Sequence, residues 1–430
     1  MLKEVMVVGA GGREHALAWK LSQSAAISKV YVAPGNAGTD SAGGKIQNLA
    51  IKATDNKALV EFAVQNKIAL VVVGPELCLI NGLVDDLSAS GISAFGPTKA
   101  QSKLEWSKAH SKNVLKNLNI PTARFVVTET VSQANALLQN PDNDWARVIK
   151  LDGLAAGKGV YVCDQKEQAL LAISELAAAY GDGDKLTLVL EEKLAGEEIS
   201  LFCLCDGKTV MPLRALQDHK RRFDGDQGPN TGGMGAFTPV PVYKQYQDVI
   251  DAQVVKPLAQ ACSKGTLDFK GLLFIGILMQ QGVPYVLEFN ARFGDPECEA
   301  MMPLLSSDLY ELLQSSAQGT LAQQPEPVWH DGVSVTFIAV NQEYPQKSSS
   351  GVPIQINPMP QGVTLFHCGT AVQDGQVVTS GGRILAPTAV APTVEQACEL
   401  ALAALKQVTF EGMDYRTDIA RGGSKLCPSK

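Results

Sequence analysis

Three short valine-rich runs, Val5–Val8, Val30–Ala33 and Leu70–Val73, do most to limit how this chain can fold. Each has the length and β-branched content of a strand. Each stops at a small, polar or glycine-rich turn: GAGG, PGNAG and GPE. Between them lie amphipathic stretches such as Asn56–Asn66, with apolar residues at helical spacing. Strands that alternate with helices predict a parallel sheet joined by right-handed crossovers. Ligands of such sheets gather beyond the carboxyl ends of the strands, where these three turns fall. Residues 1–103 therefore read as an open parallel α/β substrate-binding domain.

The remainder divides by pattern, and the class is α/β and α+β multidomain. Strand candidates RFVV, RVIK and GVYVC, with helical stretches near 129–139 and 165–180, make a smaller unit over 122–190. Strands EISLFCLC, LLFIGILM and YVLEFN surround a glycine-rich polar loop, DGDQGPNTGGMGAF, in a core formed by 104–121 and 191–325. QQPEP reads as a linker, and 326–430 as a β-rich domain. Hairpin signals stand at Asp374–Gly375 and Gly381–Gly382, and a helix near 394–407. With 45% hydrophobic and 19% charged residues, the chain is not disordered. Acidic residues outnumber basic ones, 44 to 37, which argues against a nucleic-acid partner. No apolar run reaches the length of a membrane span, so a cytoplasmic protein without a membrane partner is expected. The nine cysteines lack paired spacing and read as reduced packing residues.

Four motifs carry chemistry. Gly9-Ala10-Gly11-Gly12-Arg13-Glu14 follows a strand and opens a helix, so it either closes a tight turn or offers N–H groups to an anion. It is not a dinucleotide fingerprint, because Glu14 holds the third glycine's place and the second strand ends in Ala33-Pro34-Gly35 without an acid. Gly153–Gly159 is not a P-loop: three residues separate its glycines, and Gly159, not Ser or Thr, follows Lys158. It fits either a hairpin that folds over phosphates, with Lys150 on the strand before it, or an ordinary flexible hairpin with two solvated lysines. Glu288 and Asn290 share a face at a strand end and either suit a hard cation such as Mg²⁺, with Arg292 beside them for phosphoryl charge, or form an exposed strand end with salt bridges. Gln217–Arg222 and Asn230–Gly235 form a donor-rich loop in which His219 is either a base or an ordinary hydrogen-bonding residue.

Together these residues resemble the ATP-grasp superfamily, and closely its phosphoribosylamine–glycine ligase family. The matching strings are GGREHALAWKL, VAPGNAGT, VVGPE, FGPT, SKA, DGLAAGKGV, QDHKR, DGDQGPNTGGMGAF and EFNARFGDPE, in order along the chain; FHCGT and GGRIL match more weakly. The resemblance implies an ATP-grasp core with a mobile lid, and ligation of glycine to 5-phosphoribosylamine through glycyl phosphate. It implies ATP as substrate, Mg²⁺ (or Mn²⁺) as metal, and a monomer or weak dimer. By similarity Glu288 and Asn290 ligate the metal, and Arg292, Asp218 and Lys220 act in catalysis. Lys108, Lys150, the lid loop with Gly153, Gly157, Lys158 and Gly159, and then Glu191, Glu192, Leu194 and Glu198 would hold ATP. Gly11, Gly12, Arg13, Asn36, Gly38, Thr39 and Glu76 would hold phosphoribosylamine. Asn230, Thr231, Gly232, Gly233 and Met234 would lie where the substrates meet.

The chain departs from the family pattern at Leu77-Cys78-Leu79, at Trp106 and His110 around SKA, at Leu151, and over Asn341–Gln346. These changes flank the phosphate and metal residues, so the alternative is an ATP-grasp paralogue that joins a carboxylate to another amine.

Overall fold

A computed structural model describes residues 2–41, 44–153 and 159–421. In the N-terminal domain β1 (Lys3–Gly9) feeds helix α1 (Gly12–Ser22), followed by β2 (Ile27–Pro34), β3 (Ile46–Asn48), β4 (Leu70–Val73) and β5 (Ala94–Phe95). The strands pair in parallel in the order β3-β2-β1-β4-β5. Val5 to Val8 of the central β1 are fully buried, as expected of a strand covered on both faces. The chain steps outward from β1 on one side and returns to β4 on the other. The switch point therefore lies between the ends of β1 and β4.

The next unit is an antiparallel sheet of β6 (Phe125–Thr130), β7 (Ala146–Leu151), β8 (Val160–Val162) and β9 (Lys185–Glu192), ordered β6-β9-β7-β8. Helices Val131–Gln139 and Lys166–Tyr180 bury an alanine- and leucine-rich seam against it. The core holds β10 (Glu197–Asp206), β11 (Val210–Asp218), β12 (Arg221–Phe223), β13 (Gln227–Asn230), β14 (Gly235–Thr238), β15 (Lys270–Gln280) and β16 (Val283–Asn290). β10 and β15 pair without a break from Glu197↔Met279 to Asp206↔Lys270. The sheet does not stop at the QQPEP linker. β14 pairs with β17 (Val333–Phe337), which pairs with Arg383–Ala391, so one ten-stranded sheet runs into the C-terminal domain.

Two expectations for loops change. The glycine-rich segment contains a hairpin, β12 with β13, whose turn places Gly225 and Asp226 at φ 70° and 54°. Asp374–Gly375 does join two paired strands, Thr370–Gln373 and Gln376–Gly381. Gly381–Gly382 does not: the strand after it leaves for the large sheet. The glycines there permit close passage, since a Cβ on Gly381 would lie 2.9 Å from Gly369 Cα and one on Gly382 2.5 Å from the Tyr344 ring. The cysteines among the described residues are free and buried. No described helix is long and apolar enough to cross a membrane.

Candidate active site

A cleft of about 430 Å³ opens between the β7–β9 sheet, the β15–β16 hairpin and the ends of β11 and β13. Its floor is set by a register shift. Gly276 faces Glu288, but Ile277 faces Val286, so Leu287 bulges out of the ladder. Lys150 on β7 donates to the Leu287 carbonyl at 3.2 Å. Glu288 and Asn290 line the cleft beyond the bulge. Lys108 stands 3.6 Å from Glu288 Oε2. Burial pushes the Glu288 carboxyl up, but Lys108, Lys220, Lys150 and Arg292 outweigh it and hold it at about 2.

Lys108 begins a helix, Lys108–Asn117, whose first turn is capped twice. Ser107 accepts from His110 N at 3.1 Å, and Asp152, beyond β7, accepts from Ala109 N at 2.9 Å. One turn on, Lys112 Nζ lies 2.8 Å from Glu191 Oε2, and Lys150 Nζ lies 2.9 Å from Glu191 Oε1. All three side chains are buried. Glu191 therefore aims Lys150 from below. Glu192, Leu194 and Glu198 line the same cleft, as do Gly153 and Gly159. Gly157 and Lys158 lie outside the described residues.

Arg292 spans Glu76 (3.4 Å) and Glu105 (3.3 Å), and Glu105 also accepts from Ala291 N at 2.8 Å. Lys220 sits 3.1 Å from Glu198 and 4.0 Å from Asp218. Burial, with the charges of Glu297 and Glu198, pushes Asp218 up to about 7 against the pull of Lys220. A carboxyl there both holds and releases a proton near neutrality, as general acid–base chemistry needs. Asn230, Thr231 and Gly232 complete the wall. Thr231 is locked by donating to the Lys220 carbonyl at 2.9 Å.

The residues expected around phosphoribosylamine lie at the switch point, and many spend their polar groups inside the protein. Glu14 lies between Gly9 and Gly74, where an added Cβ would come within 2.5 and 2.0 Å of its side chain. It accepts from Gly11 N at 2.7 Å and pairs with Arg13 Nε at 2.6 Å. Arg13 also donates to the Phe293 carbonyl at 3.0 Å and is buried. These internal partners hold its guanidinium in place. Arg13 N in the first turn of α1 donates to Asp295 at 3.3 Å, so the anion at this helix start is the protein's own carboxylate. Asn36 donates to Ala10 O (3.0 Å) and His367 O (2.8 Å) and accepts from Gly38 N (2.9 Å) and Thr39 N (3.2 Å). It thus ties the second turn to the C-terminal domain. A Cβ on Gly12 would lie 2.2 Å from Glu299, and one on Gly233 2.4 Å from Pro296. Met234, expected beside the substrates, is a core residue. It is fully buried, its N–H donates to His219 O and its carbonyl accepts from Ile338 N.

His219 is not placed as a base. Its Nε2 accepts from Ala420 N at 3.1 Å and its Nδ1 lies 3.9 Å from Asp226. Ala420 belongs to a strap over residues 414–420 that holds the β12–β13 hairpin. Arg416 bonds Asp418, Asp226 (2.8 Å) and the Arg221 carbonyl (3.0 Å), and Thr417 bonds Asp224. Arg222 reaches Asp414 at 2.7 Å. Glu105, Lys112, Glu299, Tyr344, Arg383 and Arg416 stand outside the four chemical motifs. Only GGRIL, which contains Arg383, gave a signal.

Family models described as the N domain, the ATP-grasp (A) domain and the C domain of phosphoribosylglycinamide synthetase match residues 3–105, 106–298 and 334–422. The trifunctional purine biosynthetic protein adenosine-3 of Gallus gallus is 43% identical over 425 residues, covering 97% of this chain. This chain spans only 42% of that relative's length. The phosphoribosylamine–glycine ligase of Rhodopirellula baltica is 40% identical over 426 residues, 97% of each chain. A crystal structure of phosphoribosylamine–glycine ligase from Thermotoga maritima superposes with a TM-score of 0.81 at 32% identity, covering 97% of this chain and 100% of that one.

Proposed function

This chain belongs to the phosphoribosylglycinamide synthetase family, and on that premise we propose that it joins glycine to 5-phosphoribosylamine with hydrolysis of ATP to ADP. The observation that carries the reading is the convergence of Lys108, Lys150, Lys220 and Arg292 on one carboxylate, Glu288, in a single cleft. Such a site binds phosphates and supplies no protein nucleophile, which suits phosphoryl transfer by positioning and charge neutralisation. A glycine carboxylate oxygen attacks the γ-phosphorus, the bond to ADP breaks, and glycyl phosphate forms. The phosphoribosylamine nitrogen then attacks the acyl carbon, loses a proton and displaces phosphate. Asp218 takes that proton, and Lys220 holds Asp218 against Glu198.

The donor set fits Mg²⁺. No described cluster of three or more acidic, histidine or cysteine side chains forms a closed metal cage, but an ionised Glu288 and the Asn290 amide give the one or two protein oxygens that Mg²⁺ takes alongside substrate phosphates. When bound it neutralises charge on the transferring phosphoryl group. Arg292, fixed by Glu76 and Glu105, faces the same charge. Lys150 and Lys108 orient the phosphates, and the 192–198 wall takes the nucleoside.

The test is ADP release with Mg²⁺-ATP, glycine and freshly made phosphoribosylamine, each omitted in turn. A requirement for all three, with an amide product of the right mass, supports the reading. ADP release that ignores phosphoribosylamine replaces it with a ligase of another amine.

A further inference from the structure

Behind the switch point lies a cluster that the ligation chemistry does not use. Glu299 is fully buried and packs so closely on Gly12 that a Cβ there would lie 2.2 Å from its Oε1 and 2.7 Å from Cys368 Sγ. Neither of its carboxyl oxygens accepts a hydrogen bond. Its interaction partner is another carboxyl, Asp295, at the same turn: a Cβ on Gly11 would lie 3.2 Å from Asp295 Oδ2. Two facing buried carboxyls coexist only when one holds a proton, which turns the contact into a hydrogen bond. Arg383 decides which: its Nη2 lies 3.1 Å from Asp295 Oδ1, and Arg13 N donates to Oδ2 at 3.3 Å. Burial and the Asp295 charge drive Glu299 far above the usual carboxyl range, whereas Arg383 and Arg13 outweigh burial and hold Asp295 down. The thiols of Cys298 and Cys368 lie within reach of the Glu299 charge, and burial pushes their own titration far up.

Asp295 joins three elements of the cleft. It caps the first turn of α1, it pairs with Arg383, and its backbone carbonyl accepts from Arg383 Nη1 at 2.6 Å. The same Nη1 donates to the Gly232 carbonyl, and Gly232 N donates to the Tyr344 hydroxyl at 2.9 Å. We propose that Glu299, by donating its carboxyl proton to Asp295, is a positioning residue for the amine acceptor. It sets the carboxylate that aligns α1, Arg383 and the Gly232 wall. The proposal rests on the ligase reading above. It assigns the acceptor rather than ATP because all three elements meet at the β1 end of the cleft, away from Lys150 and the β7–β9 sheet.

The test compares E299Q, whose amide still donates, with E299L, which cannot. Rates are measured on the full chain with each substrate varied in turn, and infrared spectra are taken of the resting protein. The wild type is expected to show a protonated-carboxyl band that E299Q lacks. E299Q should keep near-native kinetics. E299L should raise KM for phosphoribosylamine on the order of ten- to a hundredfold, the range lost with a hydrogen bond to a charged group, and leave KM for ATP unmoved. An unchanged band in E299Q overturns the proposal. So does an E299Q as impaired as E299L, or a KM for ATP that rises with that for the acceptor. If E299L does not fold, the spectrum and rates of E299Q decide alone. A wild type with the band but no phosphoribosylamine-dependent turnover removes the ligase reading, and the acceptor role with it, while the shared proton stands.

Discussion

Replacing Glu288 with glutamine removes one negative charge from a site that four cations face. Burial pushes this carboxyl up, yet Lys108, Lys220, Lys150 and Arg292 together hold it at about 2 instead of 4.5. The net attraction is on the order of 3 kcal/mol, at 1.36 kcal/mol per pH unit. A carboxyl held low stabilises the fold above its unfolded pKa and loses that contribution as the pH falls through its folded value. At neutral pH the whole amount is therefore present. In E288Q the cations lose their counter-charge, and only ligand phosphates replace it. Two effects of opposite sign are expected. Magnesium-dependent turnover collapses, because an amide oxygen is a poorer ligand than a carboxylate. ATP without metal binds more tightly than to the wild type, by roughly tenfold if half of that attraction is transferred to the phosphates. Calorimetric titration of ATP in chelator and in Mg²⁺, beside ADP-release rates, reads both. Full turnover with normal Mg²⁺ dependence refutes the ligand assignment. Weaker metal-free ATP binding by E288Q refutes the claim that these cations are poised for phosphate.

Asp218, pushed up to about 7 chiefly by burial, should give kcat a limb that rises with pH through that value, and D218N should abolish the limb; its persistence would assign the limb elsewhere. Replacing Glu191 with glutamine leaves Lys112 and Lys150 buried without their shared partner, at a cost on the order of 3–5 kcal/mol. A urea midpoint unchanged from wild type would show that the lysines find other partners. R416K keeps the charge but loses the fork that binds Asp418, Asp226 and the Arg221 carbonyl, so about 1–3 kcal/mol should be lost from the strap. Because the hairpin it holds ends in Asn230, KM for glycine or the acceptor should rise before KM for ATP does. The reverse order would remove the strap from substrate positioning.

What was legible in the sequence follows the range of the interaction that produced it. β1, β2 and β4 were legible because a valine run between turns has one cheap conformation, and Glu288 with Asn290 because a strand's alternation is local. The β12–β13 hairpin was not, because its glycines and acids look like a loop. Its strands pair because residues 414–420, almost two hundred positions later in the chain, bind the turn. Gly381–Gly382 carried a hairpin signal for the same local reason, and the large sheet overrode it. His219 shows the limit from the other side. A lone histidine between Asp218 and Lys220 is open to catalysis until the fold brings Ala420 N to its Nε2, after which that nitrogen is no longer available to take a proton. Asp295 and Arg383 belong to the same class. Their partners lie on other units, so no spacing rule finds them. A single buried charge gains meaning only from what neutralises it, and a buried charge without a partner costs more than most folds can bear. Some residues that orient this site, Glu105, Asp295 and Arg383 among them, were therefore ones a linear reading was bound to pass over. Those that line the cleft at strand ends and in glycine turns, such as Glu288, Asn290, Gly153 and Gly232, were the ones it found.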